Sequence, residues 1–104
     1  ALAEALKELK AALRWGPMLP TTHTNLGLAH LLSKEFTEAL DAFDEALRLD
    51  ARHVPALYNR ASALKAMGRT KACLAALEAT LAVSPGFGPA VESRKSVLKQ
   101  LGQG

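Results

Sequence analysis

The fold is decided by residues 36–50, which read FTEALDAFDEALRLD. Apolar side chains recur in this stretch at helical spacing, and two small residues, Ala39 and Ala46, share one side of the predicted helix. Glu38 near the start and Arg48 near the end suit the helix dipole. The stretch is therefore predicted to form an amphipathic helix whose small-residue side fits closely against a neighbouring helix.

The same pattern recurs 34 residues away in both directions. The matching positions are Ala5, Ala39 and Cys73; Ala12, Ala46 and Thr80; and Leu9, Phe43 and Leu77. A second series places Gly27 and Ala61 one period apart. A repeat of this length indicates helical hairpins that are too small to bury their own apolar faces and therefore stack on one another.

Turn residues divide the chain into six predicted helices. These helices cover residues 2–15, about 21–33, 36–49, 55–67, 71–83 and 89–101. Thr21 or Thr22 is predicted to cap the second helix, and Thr70 the fifth. Gly68 is predicted to end the fourth helix.

Composition supports an all-α class. Ala and Leu together supply 39 of the 104 residues, whereas aromatic residues are only 5%. A single cysteine excludes an intrachain disulfide framework, and no apolar run approaches the ~20 residues of a membrane span. The first residues, ALAEALKELK, show no signal-peptide pattern. We therefore expect a cytoplasmic protein with no membrane partner.

Charge is unevenly distributed along the chain. Residues 1–51 hold five basic and eight acidic side chains, for a net charge of −3, whereas residues 52–104 hold eight basic and two acidic ones, for +6. The second half is therefore expected to attract an acidic partner. Nucleic acid is not an expected partner, because the basic residues are scattered and aromatic stacking platforms are scarce.

Two stretches resemble a tetratricopeptide repeat. The first joins Asn25-Leu26-Gly27-Leu28-Ala29 to residues 36–50, and the second runs from Ala56 through Met67-Gly68-Arg69 to Pro85. The resemblance implies a right-handed α-α superhelix, or solenoid, of antiparallel helix pairs in a single domain over residues 1–104. It divides the chain into 2–15 (second helix of a preceding repeat), 20–53 and 54–87 (full repeats), and 88–101 (terminal capping helix).

The two flanking helices are expected to differ. Lys95 stands where Gly27 and Ala61 allow a second helix to approach, which suits a terminal helix with one face in water. The helix over residues 2–15 carries an apolar stripe of Leu6, Leu9 and Leu13. This stripe is expected to be covered by further chain, by a second protomer or by a ligand.

No catalytic or metal-binding constellation stands out. His23 and His30 are two helical turns apart, too far to share a metal ion without other ligands. Cys73 matches alanines in the repeat, and we interpret it as a buried small residue. The carboxylates Asp41, Asp44 and Glu45, beside Arg48, are interpreted as a solvated helix face. The chain is therefore expected to be a non-enzyme without cofactor or metal.

Candidate binding residues follow from the resemblance, because first helices line the inner, concave surface of such superhelices. They are Thr21, Thr24, Asn25, Leu28, Leu32, Tyr58, Asn59, Ser62, Lys65, Ser93 and Lys99. Asn25 and Asn59, one repeat apart, are suited to hydrogen-bonding an extended peptide; the alternative is that they brace turns or neighbouring helices.

Cations near this surface are a further candidate feature. Lys65 and Lys99, with Arg60 or Arg94, are placed to attract an acidic segment, although solvated surface lysines are the simpler interpretation. Some family members hold a chaperone's C-terminal carboxylate with Lys, Asn and Arg. Asn59 fits that set, but the other matching positions do not support the clamp; they hold Thr24, Leu28, Pro89 and Ser93.

The sequence therefore predicts a protein-interaction module or scaffold that binds a partner peptide or helix on its concave face. The alternative is a self-assembly module that forms homo-oligomers through residues 2–15.

Overall fold

The computed structural model describes residues 19–102 and, ahead of them, residues 3–4, 7–8 and 11. Residues 19–102 form five helices: α1 (Pro20–Leu32), α2 (Phe36–Leu49), α3 (Val54–Ala66), α4 (Thr70–Val83) and α5 (Gly88–Gln100). No strand occurs in this described part, and the all-α prediction is confirmed. The predicted helix over 2–15, with its stripe of Leu6, Leu9 and Leu13, lies largely outside the described residues.

Proline begins the first helix of each pair. The prolines in the first turns of α1, α3 and α5 are Pro20, Pro55 and Pro89. Proline suits this position because the N–H that it lacks would have no partner inside the helix. The predicted caps at Thr21 or Thr22 and at Thr70 are wrong: the cap positions hold Leu19 and Arg69, and neither makes a side-chain cap hydrogen bond.

Left-handed residues end these same helices. The backbone φ is +62° at Lys34, +77° at Gly68 and +75° at Gly102, three positions spaced by one repeat. In the turn between α1 and α2, the Glu35 N–H donates to the His30 carbonyl at 2.9 Å. Gly68 ends α3 as predicted, whereas Lys34 adopts a conformation that L residues with a side chain disfavour.

The helices stack in chain order. α1 pairs with α2 and α3 with α4, while α3 packs against α2 and α5 against α4. Each of these neighbours is the next helix along the chain. Among the five helices of residues 19–102, only α1 and α3 make a substantial contact that skips one. This ladder of successive contacts is that of a solenoid rather than a closed bundle.

Small residues lie where the paired helices approach most closely. A Cβ atom built on Gly27 would lie 2.5 Å from Cε1 of Phe43, whose ring is fully buried. In the second hairpin Ala61 and Leu77 belong to one buried cluster. Thr80, at a position held by alanine in the first hairpin, is fully buried, and its hydroxyl donates to the Ala76 carbonyl at 2.8 Å. Close approach at the small residues is therefore confirmed.

α5 covers the second hairpin with one side only. Ala90 and Val97 are fully buried in the cluster beneath it, and Leu101 packs against that cluster. The Lys95 side chain is 71% exposed, although the corresponding Ala61 is 1% exposed. A lysine at this position is compatible with a solvent-facing side on α5, as its polar residues predicted.

Candidate functional site

One side of each first helix is left open by the packing. We call the residues on these sides the open face. They are Thr21, Asn25, Leu28 and Leu32 on α1; Pro55, Asn59, Ser62 and Ala66 on α3; and Pro89, Ser93, Ser96 and Gln100 on α5. Spacings of four, three and four residues keep each set on one side of its helix. All of them are exposed or half-buried.

Tyr58, next to the open face of α3, connects this helix to α5. Its hydroxyl lies 3.4 Å from Oγ of Ser93, and its ring meets that of Phe87 edge-on at a centroid distance of 5.4 Å. Two predicted site residues, Tyr58 and Ser93, are thus brought together. Ser62 joins them, because its hydroxyl donates to the Tyr58 carbonyl at 3.4 Å.

Thr24 is a correction to the predicted set. It is only 3% exposed, and its hydroxyl donates to the Pro20 carbonyl at 2.9 Å. A threonine within a helix can satisfy its hydroxyl on the carbonyl four residues earlier, so it can be buried without an unpaired polar group. Thr24 therefore lies beneath the open face, where a ligand on this side does not reach it.

The two asparagines of the open face form no side-chain hydrogen bond with the residues that the structure describes. Asn25 is exposed and Asn59 is half-buried. Neither side-chain amide makes a hydrogen bond to another residue within the described part of the chain. The contacts that a bracing role would require are thus missing among these residues.

Two lysines stand at the edge of the open face. Lys65 lies in the last turn of α3 and Lys99 in that of α5, and both are exposed. Among residues 19–102, neither ammonium group lies within ion-pairing distance of a carboxylate. Arg60 differs, because its Nε donates to Oδ1 of Asp44 at 2.8 Å. The charge of Arg60 is therefore already paired with a carboxylate of the preceding helix.

An open cavity adjoins Lys99. Its volume is about 640 Å³, and the described residues that line it are Glu92, Lys95, Ser96, Leu98 and Lys99. Lys95 Nζ lies 3.7 Å from Oε1 of Glu92, so one of the two lysines has a carboxylate nearby. The cavity thus extends the polar, partly cationic character of this end of the open face.

Two of the three histidines, His23 and His30, are buried in the first hairpin. His30 Nδ1 lies 3.0 Å from Oε1 of Glu35, a contact that sequence reasoning missed because its partner lies beyond the end of the helix. His23 is also buried, and its Nε2 has no hydrogen-bond partner within the described part of the chain. No group of three or more metal-ligating side chains occurs among the described residues.

The remaining titratable candidates have ordinary structural environments. Cys73 is 2% exposed, and burial raises the pKa of its thiol, against which the charge of Lys65 acts. The predicted carboxylate face is solvated at Asp41 and Asp44. Glu45 accepts a hydrogen bond from Arg48 Nη2 at 3.0 Å, and this bond lowers the pKa of the Glu45 carboxyl.

A membrane-spanning role finds no candidate in the described helices, since none of them is both long enough and apolar enough to cross a bilayer.

Helix pairs that repeat every 34 residues, with a small residue at each crossing, define the class of this protein. The tetratricopeptide repeat family matches residues 20–53 and, in a second copy, residues 54–87. These two matches cover about two-thirds of the chain. The chain belongs to the tetratricopeptide repeat family.

Solved structures agree with this fold. MamA is 24% identical with a TM-score of 0.91, and the match covers 98% of this chain and 60% of MamA. The first TPR of Spaghetti (RPAP3), bound to the HSP90 peptide SRMEEVD, is 21% identical with a TM-score of 0.90, covering 97% and 82%. A tetratricopeptide repeat protein from Parabacteroides merdae is 30% identical with a TM-score of 0.88, covering 98% and 41%.

This chain thus spans about 60% of the length of MamA. No curated protein matches its sequence significantly.

Proposed function

We propose that this chain is a protein-interaction module that captures a peptide or helix of a partner protein on its open face. The observation that carries the proposal is the pair Asn25 and Asn59. These amides occupy the same position in successive repeats, reach solvent and form no hydrogen bond within the described residues. A side-chain amide both donates and accepts, as the backbone of an extended peptide requires.

The layering of the helices supports a concave open face. α1 contacts α3 directly, whereas no comparable contact joins α2 to α4 among the described residues. Helices that lie closer together form the inner layer of a curved stack. This contact supports our proposal that the open face lies on the inside of the curve, where one extended segment would reach several helices at once.

Apolar contacts supplement the amides. The side of α1 that carries Asn25 also carries Leu32, which is 67% exposed, and Leu28, which rests on the buried cluster containing Phe43. Burying exposed aliphatic surface beneath a partner contributes about 25 cal/mol per Å² before the costs of association. Tyr58 adds a half-buried ring at the next helix.

The solved complexes support peptide capture as a use of this fold. The first TPR of Spaghetti holds an HSP90 peptide. At 21% identity this likeness concerns the fold, and the ligand of the present chain has to follow from its own residues.

The test combines partner identification with a matched pair of variants. A partner is first isolated by affinity capture with the intact chain and identified by mass spectrometry. Its affinity is then measured by calorimetry for the wild type and for the Asn25→Ala/Asn59→Ala variant. We expect a loss of at least about tenfold with an unchanged Tm, as for the removal of two hydrogen bonds.

The control variant is Thr37→Ala/Lys71→Ala, which changes exposed side chains on the second helices α2 and α4. It should bind like the wild type. Equal affinities for the wild type and the asparagine variant would reject the open face as the binding site.

Self-assembly is the second candidate. Residues 2–15 carry the sequence register of a second helix, and in α2 and α4 the corresponding positions Phe43 and Leu77 are buried. A second copy of the chain is one partner able to cover the apolar stripe predicted from Leu6, Leu9 and Leu13. Sedimentation velocity at several concentrations distinguishes the two functions, because a strictly monomeric chain excludes this one.

A further inference from the structure

Equivalent positions in the last turns of α1, α3 and α5 hold residues of different character. Leu31, Lys65 and Lys99 are spaced by one repeat, on α1, α3 and α5 respectively. Leu31 packs against the buried cluster of the first hairpin, whereas Lys65 and Lys99 are exposed. The neighbouring Leu32 extends the apolar surface of α1 into solvent. Aliphatic surface on α1 is thus followed by a lysine on α3 and another on α5.

The two cations are available for an incoming carboxylate. Neither Lys65 nor Lys99 has an ion-pair partner within the described part of the chain, and the pairs that do form there involve other residues. Glu35 lies 3.0 Å from His30, and Glu92 is 3.7 Å from Lys95. Partner carboxylates would therefore complement two charges that residues 19–102 leave unmatched.

The distance between neighbouring first helices predicts how far apart the contacting residues lie in the ligand sequence. Packed helices lie about 8–10 Å apart, and an extended peptide advances about 3.3 Å per residue. α1 and α3 contact each other directly, and the Tyr58 side chain of α3 reaches α5, where its hydroxyl lies 3.4 Å from Oγ of Ser93. A peptide that crosses the three helices therefore meets a new helix about every three residues.

We infer that the partner segment carries one aliphatic residue and, at successive steps of about three residues, two acidic residues. The aliphatic residue packs on Leu28 and Leu32, and the acidic residues pair with Lys65 and Lys99. This inference rests on the proposed function and names the chemistry of its ligand.

The segment is internal and does not depend on a C-terminal carboxylate. A terminal carboxylate is held by several donors that converge on one point. Here Lys65 and Lys99 stand on different helices, the Thr24 hydroxyl donates to the Pro20 carbonyl, and the Ser93 hydroxyl faces that of Tyr58. Donors of the kind that would converge on a chain end are thus separated or already paired.

The probes are two fluorescein-labelled peptides with acetylated and amidated ends. One has the pattern Leu-x-x-Glu-x-x-Glu and the other has the reverse pattern, with Ser, Ala and Gly as the remaining residues. Fluorescence anisotropy measures their binding to the intact chain. We expect one direction to bind, with a loss of about tenfold when both Glu are replaced by Gln. A free C-terminal carboxylate should change the affinity by less than about twofold.

The protein variants separate site from net charge. Lys65→Gln/Lys99→Gln should weaken binding about tenfold, whereas Arg52→Gln/Lys71→Gln, which removes the same charge from exposed sites away from the open face, should have little effect. Circular dichroism confirms that each variant is folded with an unchanged Tm. The variants and both peptides are measured at the same ionic strength.

Three results would overturn the inference: neither amidated peptide binds, the site variant and the Arg52→Gln/Lys71→Gln control lose affinity equally, or binding requires the free carboxylate. If these probes fail while the captured partner still depends on Asn25 and Asn59, the open face remains the site and only this ligand chemistry is rejected. If the asparagines also have no effect, the proposed function itself is rejected.

Discussion

Arg60 Nε donates to Oδ1 of Asp44 at 2.8 Å, and this ion pair joins the second helix of one repeat to the first helix of the next. The pair crosses the boundary along which successive hairpins stack, between α2 and α3. One period later the same two positions hold Glu78 and Arg94, again of opposite charge. The register of the solenoid thus places complementary charges at successive repeat boundaries.

The Asp44–Arg60 pair should contribute a small, salt-sensitive coupling energy. A double-mutant cycle with Asp44→Asn and Arg60→Gln, measured by urea unfolding, is expected to give about 0.5 kcal/mol, since both side chains are partly exposed. The coupling should fall at 1 M salt. The control cycle is Glu92→Gln with Lys95→Gln, a 3.7 Å pair whose side chains are more than 70% exposed. Equal coupling energies in the two cycles would contradict a stabilising role for the Asp44–Arg60 pair.

Gly27→Ala should destabilise the fold although alanine is the better helix former. The added methyl would lie 2.5 Å from the ring of Phe43, which is fully buried and has little room to move. We expect a net loss of about 1–2 kcal/mol in the free energy of unfolding, after a gain of about 1 kcal/mol in helix propensity. The control is Gly86→Ala, whose added methyl meets no atom within 4 Å. A stabilised Gly27→Ala protein would show that this crossing is looser than described.

Lys34→Gly should stabilise the first hairpin. Lys34 has a φ of +62°, and the equivalent positions hold Gly68 and Gly102. Relief of the left-handed strain outweighs the entropy lost on folding glycine, and we expect a gain of about 0.5–1 kcal/mol by chemical denaturation. Gly68→Ala is the reciprocal variant and should lose a similar amount. A destabilised Lys34→Gly protein would indicate that the lysine side chain makes a contact worth more than the strain.

Cys73 should resist alkylation in the folded protein. Its thiol is 2% exposed, and burial raises its pKa, so the reactive thiolate is scarce at neutral pH. Iodoacetamide labelling followed by mass spectrometry should be slow in buffer and rapid in urea. Because the folded pKa is raised, labelling of the native protein should also require a higher pH than labelling of the unfolded chain. Equal rates in both states would place the thiol at the surface.

Glu45 should contribute to the acid sensitivity of the first hairpin. The hydrogen bond from Arg48 lowers the pKa of its carboxyl below the ordinary value of 4.5. A group with a lowered folded pKa contributes stability above its unfolded pKa and loses it as the pH falls through the folded pKa. Stability of the wild type should therefore fall more than that of Glu45→Gln below pH 4.5. Parallel pH profiles would contradict the pairing with Arg48.

Much of the fold could be predicted because the spacing of apolar residues and the positions of turn residues are local properties of the sequence. The apolar spacing around Ala39 and Ala46, repeated 34 residues later, is enough to indicate helix pairs that stack. Predicted and observed helices in residues 19–102 begin and end within about one residue of one another. The cap at Thr21 or Thr22 failed because Pro20 begins α1 and moves the cap position to Leu19. The cap at Thr70 failed because Thr70 is itself the first residue of α4, so the cap position is Arg69.

The candidate site was predicted less completely. Helical spacing placed Asn25 and Leu32 on an open side of α1, but it also placed Thr24 there, which is buried. One residue along a helix is a rotation of about 100°, and which neighbour lies at that angle depends on how the helices cross.

The amino-acid order of this chain specifies the helices, their pairing and the faces that must be buried, because each depends on side chains close together along the chain. It does not specify which groups meet across helices. That Arg60 reaches Asp44, that Tyr58 faces Ser93 and that Lys65 and Lys99 have no carboxylate beside them in residues 19–102 depends on the crossing of separate hairpins. Shifts of a few ångströms in that packing make or break a hydrogen bond, and only the assembled fold sets them.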